Sequence, residues 1–353
     1  MINTPFYDPT KSYEENYSDG PFGAFADNEI YQNQGEPNYD YHNHKVYSPF
    51  GIPAGPIINS NFAKSAFEKG FDLVVYKTVR TGIFPCHPHP NIMAIHIDKI
   101  TPEIMAGKIT ADTNYTEPLT ITNSFGVPSK DPDEWQIDIK KAISYAKTGQ
   151  MLIAGFMGTV KENQTQEEFI KDYALAARLT KETGAKVLEA NLSCPNIGNE
   201  GLVCYNIDIT HKVCKAIRDE IGNTPLAIKL GYFNNDNELK KIAEIAHNYV
   251  DEVIAINTLP STIVDKYGNQ ALKGQNRVKS GICGAGIKWA GLDMVKRLKK
   301  IRDENNYKFS ITGVGGVMNK EDFKEYQNIG AEIVMSATGA MWDPYLAQKI
   351  KSI

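Results

Sequence analysis

From residue 46 onward, short apolar runs alternate with longer stretches in which apolar residues recur every three or four positions. A short run rich in Val, Ile and Leu is typical of a strand buried on both faces, whereas apolar residues three or four apart form one face of a helix. The predicted strands are Pro56–Asn59, Leu73–Thr78, Leu119–Asn123, Met151–Phe156, Val187–Leu192, Leu226–Leu230, Val253–Asn257, Phe309–Gly313 and Ile333–Ser336. The predicted helices are Phe62–Lys69, Trp135–Lys147, Gln166–Thr180, Thr210–Glu220, Glu238–Asn248, Ile287–Arg302, Lys320–Ile329 and Pro344–Ile350.

Strand and helix candidates alternate from residue 46 to residue 353 without any segment that resembles a linker. This alternation predicts an α/β fold with a parallel sheet, and we expect a closed (β/α)8 TIM barrel, a fold that spans about 250 residues or more. One strand candidate exceeds the eight of such a barrel. We assign Leu119–Asn123 to an inserted excursion, from Arg80 to about Asp133, after the second strand. An open doubly wound sheet is the alternative.

Residues 1–45 differ from the rest, because they carry six tyrosines among Asn, Asp, Pro and Gly and show no helical or strand period. We predict an irregular N-terminal arm here and a barrel over residues 46–353. Rings with a polar tip pack well on a surface groove, so the arm is expected to dock, with a disordered leader as the alternative. The tyrosines are Tyr7, Tyr13, Tyr17, Tyr31, Tyr39 and Tyr41.

The amino-acid composition argues against several classes of protein function. The 38 Lys and Arg against 42 Asp and Glu give a net charge of −4, which argues against partners such as nucleic acid or an anionic membrane. No apolar run is long enough to span a bilayer, and the first residues lack the apolar core of a signal peptide. The five cysteines are scattered and form no C-x-x-C pair, so we expect no disulfide framework, no metal site and a cytoplasmic, reducing compartment.

Polar residues stand where several predicted strands end. In a (β/α)8 barrel these ends meet at one mouth, which carries the active site. A lysine at a strand end most often snorkels to solvent, but Lys77 and Lys229 each follow at least three uncharged residues, which makes an ammonium directed into the mouth more plausible. Such a group could hold an anionic ligand, stabilise developing negative charge or form a Schiff base.

Small residues follow the last two predicted strands, at Gly315-Gly316 and at Thr338-Gly339. Barrels of this class bind phosphate at that position through backbone N–H groups, although such glycines can also be plain turn residues. Gly284 belongs to a third cluster that could line the same pocket.

Cys194 lies between Ser193 and Pro195, outside any apolar run. A thiol there could act as a nucleophile or a base, given an ordinary pKa of about 8.5. Four asparagines near strand ends supply donors and acceptors that suit a flat heterocycle with alternating C=O and N–H groups, although each alone could be a turn residue. They are Asn123, Asn191, Asn196 and Asn257.

Five segments, taken in order, resemble the motifs of the dihydroorotate dehydrogenases. They are Tyr76-Lys77-Thr78-Val79, the segment 122–128, Asn191-Leu192-Ser193-Cys194-Pro195-Asn196, Ile228-Lys229-Leu230 and Asn257-Thr258. The resemblance extends from about Phe50 to Ala340, and its most specific part is the hexapeptide that carries the cysteine. It implies a (β/α)8 barrel with FMN at its mouth that oxidises dihydroorotate to orotate in pyrimidine biosynthesis.

The resemblance also implies roles for residues. Cys194 would remove the C5 proton of the substrate while a hydride passes from C6 to flavin N5, and Lys77 would be the second catalytic residue, between flavin and substrate. The implied substrate-binding residues are Lys77, Asn123, Phe125, Gly126, Val127, Asn191, Asn196, Asn257 and Thr258. The implied FMN-binding residues are Ala54, Gly55, Lys77, Thr78, Asn191, Lys229, Asn257, Gly284, Gly315, Gly316, Thr338 and Gly339.

The chain resembles the soluble class of this family in two features, the cysteine at the base position and the polar arm. That class transfers electrons to fumarate, as a homodimer, or to NAD through a partner subunit, and both acceptors stay open here. Phe125 replaces a usual Met or Ile, and the segment His87-Pro88-His89-Pro90 departs from the family pattern. A related dihydropyrimidine is therefore an alternative substrate, and a Schiff-base lyase that uses Lys77 or Lys229 is an alternative function.

Overall fold

The computed structural model describes residues 2–193, 202–275 and 277–352. In chain order its strands are β1 (Tyr39–Tyr41), β2 (His44–Val46), β3 (Phe50–Ile52), β4 (Leu73–Val79), β5 (Ile92–Ile95), β6 (Lys108–Asp112), β7 (Thr120–Asn123), β8 (Met151–Phe156), β9 (Val187–Asn191), β10 (Leu226–Leu230), β11 (Glu252–Ala255), β12 (Leu259–Val264), β13 (Lys279–Gly284), β14 (Ser310–Val314) and β15 (Ile333–Met335). Its helices are α1 (Tyr13–Asp19), α2 (Ser60–Glu68), α3 (Pro102–Ala106), α4 (Pro132–Tyr145), α5 (Gln166–Lys181), α6 (Ile207–Ile221), α7 (Asp236–Tyr249), α8 (Lys288–Asn305), α9 (Lys320–Asn328), α10 (Thr338–Trp342) and α11 (Leu346–Lys351).

Eight parallel strands close into a barrel in the order β3, β4, β8, β9, β10, β11, β14, β15, and the last of them pairs with the first. Closure confirms the predicted (β/α)8 fold and makes the open sheet wrong. Inward-facing side chains such as Val75, Ile153 and Ile254 fill the interior, while the outward faces pack under the helices. Each such buried aliphatic side chain contributes about 1.5 to 3 kcal/mol, which is why continuous apolar runs form these strands.

The first barrel strand lies earlier than predicted. The strand is Phe50–Ile52, and the prediction of a strand at Pro56–Asn59 is wrong. Ile57 and Ile58 are buried, which explains the apolar pattern, but their segment is the loop that enters α2. Asn59 ends this loop as the helix cap, because its side-chain oxygen accepts hydrogen bonds from the amides of Asn61 and Phe62.

The excursion after the second barrel strand is present, and it is larger in structure than the sequence indicates. The predicted strand Leu119–Asn123 is β7, and it joins β5, β6, β12 and β13 in a closed five-stranded unit. The last two of these strands come from a second insertion, between β11 and α8, that the sequence analysis did not identify. Their pairing sets Gly281 of β13 opposite Asn123 of β7, at the edge of the barrel mouth.

The N-terminal arm was expected to be irregular, and this is wrong for Tyr13–Asp19, which forms α1. The side chains of Ser12 and Glu15 each accept a hydrogen bond from the other's backbone amide, which fixes the start of this helix. The hairpin of β1 and β2 spans residue 45 and places Tyr41 against the interior of the barrel at the N-terminal ends of its strands. The hairpin therefore forms the floor of the barrel.

Candidate active site

Lys77 lies where the pairing of β4 with β8 shifts register, between Tyr76 and Val79. Such an irregularity re-aims a side chain, and the Lys77 ammonium is buried 5.3 Å from the centre of the Phe125 ring. Burial, together with the nearby charge of Lys229, lowers the pKa of Lys77 to about 8. The site thus holds a cation that loses its proton only slightly above neutral pH.

Lys229 on β10 is the second buried cation. Its Nζ atom lies 3.3 Å from Oε1 of Glu189 on β9, and it donates a hydrogen bond of 3.2 Å to the carbonyl oxygen of Ala54. Burial raises the pKa of Glu189, although the Lys229 charge opposes that rise. The sequence analysis did not single out Glu189, and the available signal was a charged residue inside an otherwise apolar strand.

A second buried carboxylate occupies the same layer of the barrel. Glu189 and Glu252 both pair with Ala227, from the strands on either side of it. Glu252 accepts a hydrogen bond of 2.9 Å from the Tyr41 hydroxyl and contacts His42 Nε2 at 2.9 Å, and it also accepts one from Thr312. The barrel interior therefore carries ionisable groups from the floor up to the mouth, and the sequence pattern indicated the two lysines but neither of the carboxylates.

Two of the four predicted asparagines, Asn191 and Asn257, converge on one serine. The Asn191 side-chain oxygen accepts hydrogen bonds from the Ser193 amide at 3.1 Å and from its hydroxyl at 2.9 Å. Asn257 Nδ2 donates to the same hydroxyl at 2.5 Å. Asn123 lies across the mouth, where its Nδ2 atom is 3.2 Å from Cys283 Sγ. Cys194 and Asn196, the predicted base and one predicted substrate ligand, lie outside the described residues.

Residues 124–127 are here called the substrate loop, because the resemblance implies that Phe125, Gly126 and Val127 bind substrate. They are held by two arginines that the sequence analysis did not identify. Buried Arg80 donates to the carbonyl oxygens of Val127 at 2.9 Å and Gly126 at 3.1 Å. Buried Arg277 donates to the carbonyl oxygen of Ser124 at 2.9 Å. Val127 has a φ of 53°, which is costly for a β-branched residue and requires support of this kind.

Most of the predicted site residues line a cavity of about 500 Å³ at the mouth of the barrel, here called the mouth cavity. The predicted residues that line it are Ala54, Gly55, Lys77, Thr78, Asn123, Phe125, Gly126, Val127, Asn191, Lys229, Asn257 and Thr258. His87, which the sequence analysis did not place in the site, also lines this cavity, and its Nδ1 atom lies 3.0 Å from the Ser124 hydroxyl. The structure therefore brings together residues from strands that are far apart in sequence.

The other predicted residues that the structure describes line a small cavity beside the mouth, here called the glycine pocket. These residues are Gly284, Gly315, Gly316, Thr338 and Gly339. A third cavity of about 120 Å³, here called the bridging cavity, shares Lys77 and Lys229 with the mouth cavity and Thr338 with the glycine pocket. The three cavities thus form a continuous site.

FMN, the cofactor that the resemblance implies, fits this arrangement. Gly315 and Gly316 have φ values of 128° and 68°, so their backbone can turn around a phosphate without a Cβ atom. A Cβ atom on Gly316 would lie 2.6 Å from the Lys288 side chain, so the turn requires glycine. Lys77 and Lys229 supply positive charge along the path between the glycine pocket and the mouth.

In residues 2–193, 202–275 and 277–352, no helix has both the length and the apolar character needed to cross a membrane. Across the same part of the chain, no three His, Cys, Asp or Glu side chains are grouped so that they could hold a metal ion.

Comparisons with known proteins agree with the motifs. The sequence model of the dihydroorotate dehydrogenase family matches residues 40–352. A Dictyostelium discoideum protein named dihydroorotate dehydrogenase is 36% identical over 361 residues, which cover 99% of this chain and 97% of that protein. The PreA subunit of an Escherichia coli NAD-dependent dihydropyrimidine dehydrogenase is 27% identical, over 84% of this chain and 66% of that protein.

The fold also has a solved counterpart. A crystal structure of DHODH from Eimeria tenella in complex with ferulenol has a TM-score of 0.69 and 18% sequence identity, over 92% of this chain and 85% of that chain. At this identity the likeness supports the barrel fold alone. The family resemblance of the motifs is confirmed by the family match and the full-length relative. This chain belongs to the dihydroorotate dehydrogenase family.

Proposed function

We propose that this protein is a cytoplasmic, FMN-dependent enzyme that oxidises dihydroorotate to orotate in pyrimidine biosynthesis. The observation that carries the proposal is the convergence of Lys77, Asn123, Asn191, Lys229 and Asn257 on one mouth cavity in a chain of this family. When bound, FMN supplies the acceptor for the hydride that leaves C6 of the substrate.

The polar residues of the mouth match the substrate in chemical type. Amide side chains such as Asn123 and Asn257 can donate to ring carbonyls and accept from ring N–H groups. The Lys77 ammonium can pair with the substrate carboxylate, and the Gly126 and Val127 backbone belongs to the loop that Arg80 holds in place. These contacts orient the ring and keep its reacting edge toward the cofactor.

We assign the base to Cys194, on the resemblance of its hexapeptide to the family motif. Supporting this, Ser193, the residue just before it, is fixed at the mouth by hydrogen bonds with Asn191 and Asn257. A cysteine base takes the C5 proton onto its sulfur as the C6 hydride departs, so the thiolate must be present before reaction.

The cofactor would lie along the three cavities. Backbone N–H groups of Gly315 and Gly316 would bind its phosphate, and Ala54 and Gly55 would line its ring. Lys229, with its charge balanced by Glu189 in the ground state, would stabilise the negative charge that the ring gains on reduction.

The test is a pair of cysteine variants assayed without an electron acceptor. Cys194→Ala should bind FMN but should no longer permit dihydroorotate to bleach the bound flavin near neutral pH. Cys214→Ala is the matched control, because Cys214 is buried in α6 and lines none of the three cavities. Bleaching by Cys194→Ala at the control rate would remove Cys194 from the base role.

The electron acceptor and the assembly are separate parts of the proposal. We expect a homodimer that reduces fumarate, or a complex that reduces NAD through a partner subunit. The second arrangement is supported by a Methanocaldococcus jannaschii relative, named as the catalytic subunit of an NAD(+) dihydroorotate dehydrogenase, that is 28% identical over 63% of this chain. Turnover of the isolated chain with fumarate would assign the first, and turnover with a dye but not with fumarate would assign the second.

A related dihydropyrimidine is the second candidate substrate. It is favoured by the similarity to the Escherichia coli dihydropyrimidine dehydrogenase subunit and by the His87 side of the mouth, which departs from the family pattern. The two candidates differ in the carboxylate that only dihydroorotate carries. A kcat/KM for dihydrouracil above that for dihydroorotate would favour the second candidate.

A further inference from the structure

The N-terminal arm reaches the active site at residues 6 and 7. The Phe6 amide donates to the Met341 carbonyl oxygen at 3.0 Å, and the Phe6 carbonyl oxygen accepts from Phe22 at 3.1 Å. The Phe6 ring packs on Phe25 with ring centres 4.6 Å apart and on Phe62 with ring centres 5.4 Å apart. The backbone just before the next residue, Tyr7, is therefore fixed against the barrel.

Tyr7 lines the bridging cavity, together with Lys77, Lys229 and Asn257. Its ring meets the Phe125 ring edge-on, with ring centres 5.5 Å apart, so the arm also supports the substrate loop. Tyr7 is absent from the lining of the mouth cavity, which places it on the cofactor side of the site.

The Tyr7 hydroxyl is buried and has no hydrogen-bond partner among residues 2–193, 202–275 and 277–352. A buried hydroxyl without a partner is destabilising, and phenylalanine would fill the same space without that loss. Burial raises the pKa of Tyr7 far above its ordinary value, so the hydroxyl stays protonated and can act as a donor across the working pH range. No group among the described residues satisfies this donor, and the residue that carries it lines the bridging cavity, so a group bound there could accept its hydrogen bond.

We propose that Tyr7 is a cofactor-binding residue contributed by the arm, and that its hydroxyl donates a hydrogen bond to the planar ring system bound in the bridging cavity. The inference rests on the proposed function, because FMN is the ring system in question. It gives the tyrosine-rich arm a role: the arm forms one wall of the cofactor site, and through Phe125 it joins that wall to the substrate loop.

The test compares Tyr7→Phe with Tyr13→Phe. Both changes remove only a hydroxyl from a buried arm tyrosine, and both rings face Phe125, but Tyr13 lines a different cavity. The dissociation constant of FMN is measured by titrating apo-protein and following the quenching of flavin fluorescence. Tyr7→Phe should bind FMN about tenfold more weakly, the effect of one lost hydrogen bond, and Tyr13→Phe should stay within about twofold of the unaltered protein.

Urea unfolding of the apo-protein separates binding from structure. Removing an unpartnered buried hydroxyl should leave apo Tyr7→Phe at least as stable as the unaltered protein, so affinity and stability change in opposite directions. A structural role alone would lower both. Unchanged or tighter FMN binding by Tyr7→Phe overturns the inference, whereas a failure of the unaltered protein to bind FMN overturns the proposed function itself.

Discussion

Replacing Glu189 by Gln removes the carboxylate that balances the Lys229 charge. The two side chains are 0% and 4% exposed, and the contact between them is 3.3 Å. At an effective dielectric constant of about 20, two charges at that distance attract by about 5 kcal/mol. Loss of one partner from a buried pair costs about 3 to 5 kcal/mol, because the remaining charge is left in a site from which water is excluded. We expect Glu189→Gln to lose about that much unfolding free energy near neutral pH.

Lys229→Met should behave differently, because a carboxyl can take up a proton. Burial already raises the pKa of Glu189, and loss of the lysine raises it further. A carboxyl whose pKa is raised in the folded protein destabilises that protein as the pH rises. The loss begins near the ordinary carboxyl pKa of about 4.3 and is complete above the pKa in the folded protein. The unfolding free energy of Lys229→Met should therefore approach that of the unaltered protein near pH 5 and fall progressively below it as the pH rises.

The assay is urea unfolding of the apo-protein for both single variants and for Glu189→Gln with Lys229→Met. The double variant contains no buried charge at these positions. Its loss of unfolding free energy should therefore be smaller than the sum of the losses in the two single variants by about 2 to 3 kcal/mol. Additive losses within about 0.5 kcal/mol, or a Lys229→Met loss that does not change with pH, would refute the reasoning.

Three further predictions concern the mouth and the floor of the barrel. Arg80→Gln removes the donors to two carbonyl oxygens of the substrate loop. The KM for dihydroorotate should therefore rise about tenfold or more while the dissociation constant of FMN stays unchanged. An unaltered KM in steady-state assays would show that the loop keeps its conformation without Arg80. Because the pKa of Lys77 is about 8, the affinity for the orotate anion should fall as the pH rises through that value, and a titration of the loaded enzyme that shows no such fall would contradict this. Burial lowers the pKa of His42, but the hydrogen bond and charge of Glu252 outweigh it and the net pKa is raised. The stability that His42 contributes should be fully present below about pH 6.5 and lost at higher pH. The unfolding free energies of His42→Gln and the unaltered protein, measured in urea, should therefore differ below about pH 6.5 and converge at higher pH.

The barrel could be predicted from sequence because its strands are buried on both faces. Met151–Phe156 has no polar side chain and Leu226–Leu230 is apolar except for Lys229, and the structure gives both strands the predicted bounds. The first strand could not be predicted in this way, because Phe50–Ile52 has only three residues, with a central glycine, and lies between two prolines. The helix of the arm was within reach, since Ser12 and Glu15 have the spacing of a capping box.

The strand-end residues of the site could be anticipated, because parallel strands of a barrel end at one mouth. Lys77 and Asn257 are examples, and both line the mouth cavity. The groups that support them could not, because their roles depend on which strands are neighbours and which side of a strand faces inward. Glu189 meets Lys229 only when their strands pair, and Arg277 reaches Ser124 across 153 positions in sequence.

Anaerobic reduction of the bound flavin tests the central claim most directly. The protein is loaded with FMN, oxygen is removed, and dihydroorotate is added without any other electron acceptor. The account predicts that the visible absorbance of oxidised flavin disappears and that one orotate is formed for each flavin reduced. A flavin that stays oxidised while dihydroorotate is recovered unchanged, or one that is reduced without formation of orotate, would contradict it.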